Sequence, residues 1–78
     1  MKEKLLDLLV ELCEDEGIRK KLDEDLFESD LLDSLTFAEL LIGIEEKFGI
    51  IIAPSAVDRE DINTPNKIIR LVEERIKQ

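Results

Sequence analysis

The stretch that most constrains this chain runs from about Ser34 to Phe48, an apolar segment with Asp33-Ser34 at its head and Gly49 at its foot. Asp33 and Ser34 are both good helix starters, because a side-chain oxygen accepts from an amide N–H that has no partner within the first turn. Gly49 supplies a φ-permissive stop. At about 100° per residue, Phe37, Leu40, Leu41, Ile44 and Phe48 gather on one face, enough for a core stripe. Leu35, Ala38 and Ile42 gather on the nearly opposite face, bordered by Glu39, Glu45 and Glu46. A helix of a small bundle needs only one apolar stripe. Scattered surface apolars are ordinary and a loop can cover a second stripe, but this one begins at a serine. It is expected to be an exposed, carboxylate-ringed strip on which partners dock.

The rest of the chain reads as helices packed against that segment. From residue 2 to about 15, Leu5, Leu8, Leu9 and Leu12 fall at helical spacing, with Leu6, Val10 and Cys13 widening the face and Gly17 as terminator. Residues 18 to 33 form a long connection with helical character near Ile18 to Leu22. Its recurring Leu22, Leu26, Phe27, Leu31 and Leu32 should pin it to the bundle, with Phe27 as main anchor. Ile50 to Ile52 have strand propensity but no second strand to pair with, so they read as an extended, buried connection. Ala56 to Ile62 make one short helix or turn. Thr64 as N-cap and Pro65 at the first helical position then start a last helix to about Ile76, burying Ile68, Ile69, Val72 and Ile76. The expected fold is all-α, a bundle of three main helices plus one short helix with a long first loop. The chain should be a single domain, residues 1–78.

Composition removes several functions. The net charge is −9, which disfavours nucleic acid and anionic membrane surfaces and favours partners with basic docking faces. No stretch is apolar enough to span a membrane, and Met1-Lys-Glu-Lys-Leu-Leu-Asp lacks the apolar run of a signal peptide. A cytoplasmic monomer is expected. With no histidine, Ser-His-Asp and Cys-His arrangements are unavailable. The glycines are too scattered for a phosphate loop, and the acids lack the spacing of a calcium loop. The one cysteine, Cys13, sits on a buried flank among acids that disfavour a thiolate, so it reads as a core residue. No metal or catalytic set emerges, and chemistry is done to this protein rather than by it.

Ser34 fits that role. A helix N-terminus offers free N–H donors and partial positive charge, and so tolerates a phosphate. A modifying enzyme brings its own metal and base, and Asp33 could help position that metal-bound cofactor. Asp-Ser-Leu alone does not distinguish a modification site from an ordinary capping serine.

A wider pattern does. Leu26-Phe-Glu28, Leu31-Leu-Asp-Ser-Leu35, Glu39-Leu-Leu41, Ile44-Glu45, Phe48-Gly49, Val57-Asp-Arg59 and Asn63-Thr-Pro-Asn-Lys-Ile-Ile69 occur in one order over nearly the whole chain. In this the sequence resembles the acyl carrier superfamily, and within it the D-alanyl carrier branch of teichoic acid D-alanylation. Asn63 to Ile69 is the most specific part, since fatty-acid carriers usually have a more acidic segment there. The chain departs from the branch at Val57 and Ile62, where aromatic residues are usual, and at Thr36-Phe37, where Gly-Thr is common. The resemblance implies that Ser34 receives 4′-phosphopantetheine from a phosphopantetheinyl transferase. It also implies that a D-alanine–carrier ligase loads the thiol, and that a membrane-bound O-acyltransferase system takes the D-alanyl group to lipoteichoic acid. Leu35, Ala38, Glu39, Ile42, Glu45 and Glu46 would be the docking face. Two alternatives stay open: a carrier for fatty-acid, polyketide or nonribosomal peptide synthesis, and an unmodified helical adaptor.

Overall fold

The computed structural model describes residues 2–77. Three helices carry the core: α1 (Lys2–Cys13), α2 (Ser34–Phe48) and α3 (Pro65–Ile76), with no strand among the described residues. The all-α bundle expected from helical periodicity is therefore the observed fold. Its buried side chains are aliphatic, among them Leu5, Leu9, Leu26, Leu40, Ile44, Ile68 and Val72. Burying each such side chain contributes about 1.5–3 kcal/mol relative to leaving it in water.

Helix α1 buries Leu5, Leu6, Leu8 and Leu9 and ends at Cys13, two residues earlier than the periodicity suggests. Glu14 breaks it by turning left-handed, with φ 54°. Gly17 is not the terminator. Its N–H donates to the Asp15 carboxylate at 2.8 Å and opens a 3-10 turn over Glu16–Lys20. Arg19 on that turn reaches back to α1, bonding Asp7 and lying 3.3 Å from Glu16 and 3.7 Å from Glu3. Cys13 is half-buried, and burial pushes its thiol pKa up, with the charges of Asp15 and Asp33 adding to the effect.

The long connection before α2 is pinned, but by Leu26 rather than by Phe27. Leu26 is 0% exposed, whereas Phe27 is half-buried. A loop has no fixed period, so apolar spacing alone does not decide which of two adjacent side chains turns inward. Residues 26–30 make one helical turn, closed by a left-handed Asp30 with φ 60°. The Leu26 carbonyl then accepts from both Leu31 and Leu32, each at 3.0 Å.

Helix α2 buries Leu40, Leu41, Gly43 and Ile44, while Phe37 and Phe48 are only partly covered. Gly43 lets α1 come close: a Cβ there would stand 2.8 Å from Leu8 Cδ1 and 2.9 Å from Leu8 Cδ2. Gly49 ends the helix in the left-handed region, φ 69°, its N–H donating to the Glu45 carbonyl at 2.9 Å. This is the φ-permissive stop expected there.

Ile50 to Ile52 are extended, yet the connection is not buried throughout. Side chains alternate along extended backbone, so Ile52 turns inward while Ile51 is 74% exposed. The expected short helix over Ala56 to Ile62 resolves into two 3-10 turns, Pro54–Ala56 and Arg59–Asp61. Thr64 caps α3 by accepting from Lys67 N–H at 3.2 Å, with Pro65 at the first helical position. The helix buries Pro65, Ile68, Ile69 and Val72. Ile76, expected in the core, is 51% exposed. It lies one turn past Val72, the last buried residue of the helix.

Candidate functional site

The N-terminus of α2 is built by Asp33. Its carboxylate accepts from the Thr36 N–H at 2.8 Å, and its backbone is extended at φ −127°. That bond, with the Thr36 hydroxyl adding to its effect, holds the Asp33 pKa below the usual aspartate value. Because Asp33 is the cap, Ser34 becomes the first helical residue and its hydroxyl is free of capping duty. Ser34 is exposed, as are Asp33 and Leu35 on either side.

This geometry suits a phosphodiester on the Ser34 hydroxyl. Ser34 is exposed, so a modifying enzyme can reach it, and it opens α2, where the partial positive charge of a helix N-terminus favours a phosphate. The residues present therefore fit a phosphate-linked prosthetic group. No group of three or more His, Cys, Asp or Glu side chains able to hold a metal exists among the described residues.

The strip running away from Ser34 is exposed. Leu35 is 69% and Ile42 54% accessible, and Ala38, Glu39, Glu45 and Glu46 also face solvent. The long loop does not cover them. Sequence reasoning missed one contributor. Ile51, from the connection after α2, stands beside Ala38, Leu41 and Ile42, and with Ile52 and Pro54 it lines a shallow apolar recess. The signal was available in Ile50-Ile51-Ile52, since an extended triplet with two inward ends sends its middle residue out.

In the first turns of α2, Phe37 meets Phe27 of the long loop edge to face, with ring centroids 6.3 Å apart and planes at 64°. The Arg59 guanidinium lies 4.9 Å from the centroid of the Phe27 ring. The long loop, the first turns of α2 and the turn at Arg59–Asp61 therefore converge near the N-terminal end of that helix.

Comparison with known proteins gives the family. Residues 3–72 match a family model described as a phosphopantetheine attachment site. The chain is 47% identical over 76 residues to the D-alanyl carrier protein of Abiotrophia defectiva, covering 97% of this chain and 96% of that protein. It is 40% identical over 73 residues to the D-alanyl carrier proteins of Bacillus velezensis and Bacillus subtilis, covering 94% of this chain and 94% of each.

Proposed function

The chain belongs to the phosphopantetheine-attachment family and within it to the D-alanyl carrier proteins, and on that premise we propose that Ser34 bears the prosthetic group and that the cargo is D-alanine destined for lipoteichoic acid. Members of this family are non-catalytic carriers that hold 4′-phosphopantetheine covalently. When bound, that group supplies a thiol on a flexible arm, to which an acyl group is joined as a thioester.

This chain's residues contribute position and recognition. Ser34 Oγ provides the attachment point, and Asp33 caps the first turn of α2 and so fixes the backbone that carries it. Leu35, Ala38, Glu39, Ile42, Glu45 and Glu46 give partner enzymes an apolar footing ringed by negative charge, so the docking faces that fit are apolar with basic rims. In this reading the partners are a phosphopantetheinyl transferase, a ligase that activates D-alanine as its adenylate, and a membrane-bound O-acyltransferase system. The carrier works as a single domain, a monomer in the cytoplasm. In this reading delivery to a membrane acceptor proceeds by docking; no helix among the described residues is long and apolar enough to cross a membrane.

The observation that carries this reading is an exposed serine at the first turn of α2, at the head of an exposed apolar strip. Intact mass after incubation with coenzyme A and a broad-specificity phosphopantetheinyl transferase tests it. Wild type should gain one phosphopantetheine and Ser34→Ala none. A folded wild type that gains nothing would leave the adaptor reading. Loading of the modified carrier by a D-alanine ligase, and not by an acyl-carrier synthetase, would separate D-alanine from the cargoes of other carriers.

A further inference from the structure

The segment that opens α3 grips the loop that leads to the serine. Asn63 and Asn66 each make one main-chain and one side-chain hydrogen bond to that loop. Leu26 N–H donates to the Asn63 carbonyl at 2.7 Å, and Asn63 Nδ2 donates to Asp25 Oδ2 at 3.0 Å. Asn66 N–H donates to the Leu22 carbonyl at 3.0 Å, and its Nδ2 donates to Asp23 Oδ1 at 2.8 Å. A carboxylate only accepts, so both amide nitrogens must face the loop. For Asn63 this leaves Oδ1 buried with no hydrogen-bond partner among the described residues. Such an atom costs stability and invites an explanation in what the rest of the side chain holds.

What it holds runs on to the attachment site. Asp25 Oδ1 accepts from the Phe27 and Glu28 N–H groups at 2.9 and 3.0 Å, shaping the turn that follows. Leu26, gripped by Asn63, accepts through its carbonyl from Leu31 and Leu32. Leu32 is buried and immediately precedes Asp33, the cap of α2. An unbroken path of hydrogen bonds and peptide bonds thus leads from the start of α3 to Ser34. A second link, from Arg59 over Phe27 to Phe37, reaches the same helical turn.

We propose that Asn63 and Asn66 are positioning residues for modification of Ser34: they fix residues 22–33 in the one arrangement that a modifying enzyme recognises. The proposal rests on Ser34 being the attachment serine. Neither asparagine is adjacent to Ser34 in the chain, and both act through the loop. If the grip is released, only a fraction of molecules presents the serine correctly at any moment. The apparent affinity for the enzyme then falls by that fraction, while turnover of the bound complex does not.

The experiment is a double-mutant cycle on the Asn66–Asp23 contact. Initial rates of phosphopantetheine transfer are measured against carrier concentration for wild type, Asn66→Ala, Asp23→Ala and the double variant. Asp23 is exposed, so its truncation leaves the core intact. Both single variants should raise KM about two- to fivefold with kcat unchanged, the double variant should add nothing further, and amides of residues 22–33 should exchange faster in all three. Faster loop exchange with KM within twofold of wild type would overturn the proposal and leave the contact a purely structural one. A fall in kcat with KM unchanged, or additive effects of the two substitutions, would also overturn it. Absence of transfer to wild type would instead sink the assignment of Ser34, and the positioning role with it.

Discussion

Asp33 accepts a 2.8 Å hydrogen bond from the N–H of Thr36, so the residue just before Ser34 is the one that shapes the serine's helical turn. This bond lowers the Asp33 pKa in the folded state below the ordinary 3.8. Between the ordinary value and the lowered one, the unfolded chain binds the proton and the folded chain does not. The cap therefore stabilises α2 above the ordinary value, and its contribution is lost as pH falls through the lowered one. The Thr36 amide shift should titrate with a midpoint below 3.8, and Asp33→Ala should abolish that titration. A midpoint at or above the ordinary value would show that the cap is not charged in the way described.

The carboxylates beside the exposed strip should act on encounter more than on folding. Exchanging Glu39 and Glu46 for lysine reverses the charge at two exposed positions. Ligase loading should slow about tenfold at low ionic strength, mainly through association, and the deficit should shrink as salt is added. Thermal unfolding should stay near that of wild type. Loading kinetics unchanged at low salt would move the docking face elsewhere.

Phe27→Ala is a smaller lesion than a core phenylalanine would make. The ring is half-buried, against Phe37 on one side and Arg59 on another. About 2 kcal/mol is expected, against roughly 3–5 kcal/mol for truncating a fully buried ring. Leu26→Ala, which empties a wholly buried site, should cost more, about 2–5 kcal/mol. Urea titrations that rank the two in the opposite order would return the anchor to Phe27.

Gly43 separates two opposing effects. Alanine there gains about 1 kcal/mol of helix propensity but pushes on Leu8, so Gly43→Ala should come out close to neutral. Valine adds the crowding without the propensity gain and should destabilise by about 1–3 kcal/mol. Equal stability for alanine and valine variants would mean that α1 and α2 do not approach as closely as described.

The helices with explicit caps were the legible part of this molecule. Asp33, Gly49 and the Thr64-Pro65 pair fix the ends of α2 and the start of α3 by local chemistry that a short window displays. The end of α1 was not legible, because Glu14 takes the left-handed turn that Gly17 seemed to offer. Burial at Ile76 depends on whether something lies opposite, and periodicity says nothing of that. The exposed strip followed from two apolar faces on one helix. Ile51 joins it only because the chain folds back after Gly49, and Asn63 and Asn66 grip Asp25 and Asp23 from roughly forty positions away, beyond any local pattern.

The side chain missing at Gly43 has a consequence for how the bundle chooses its arrangement. A helix that is apolar on two sides could be stacked either way round, and hydrophobicity alone would barely distinguish the correct docking from its rotated rival. Leu8 nests only where α2 lacks a Cβ, so shape breaks a tie that greasiness leaves open. The exposed apolar side of α2 can then stay at the surface without the chain mistaking it for its own interior.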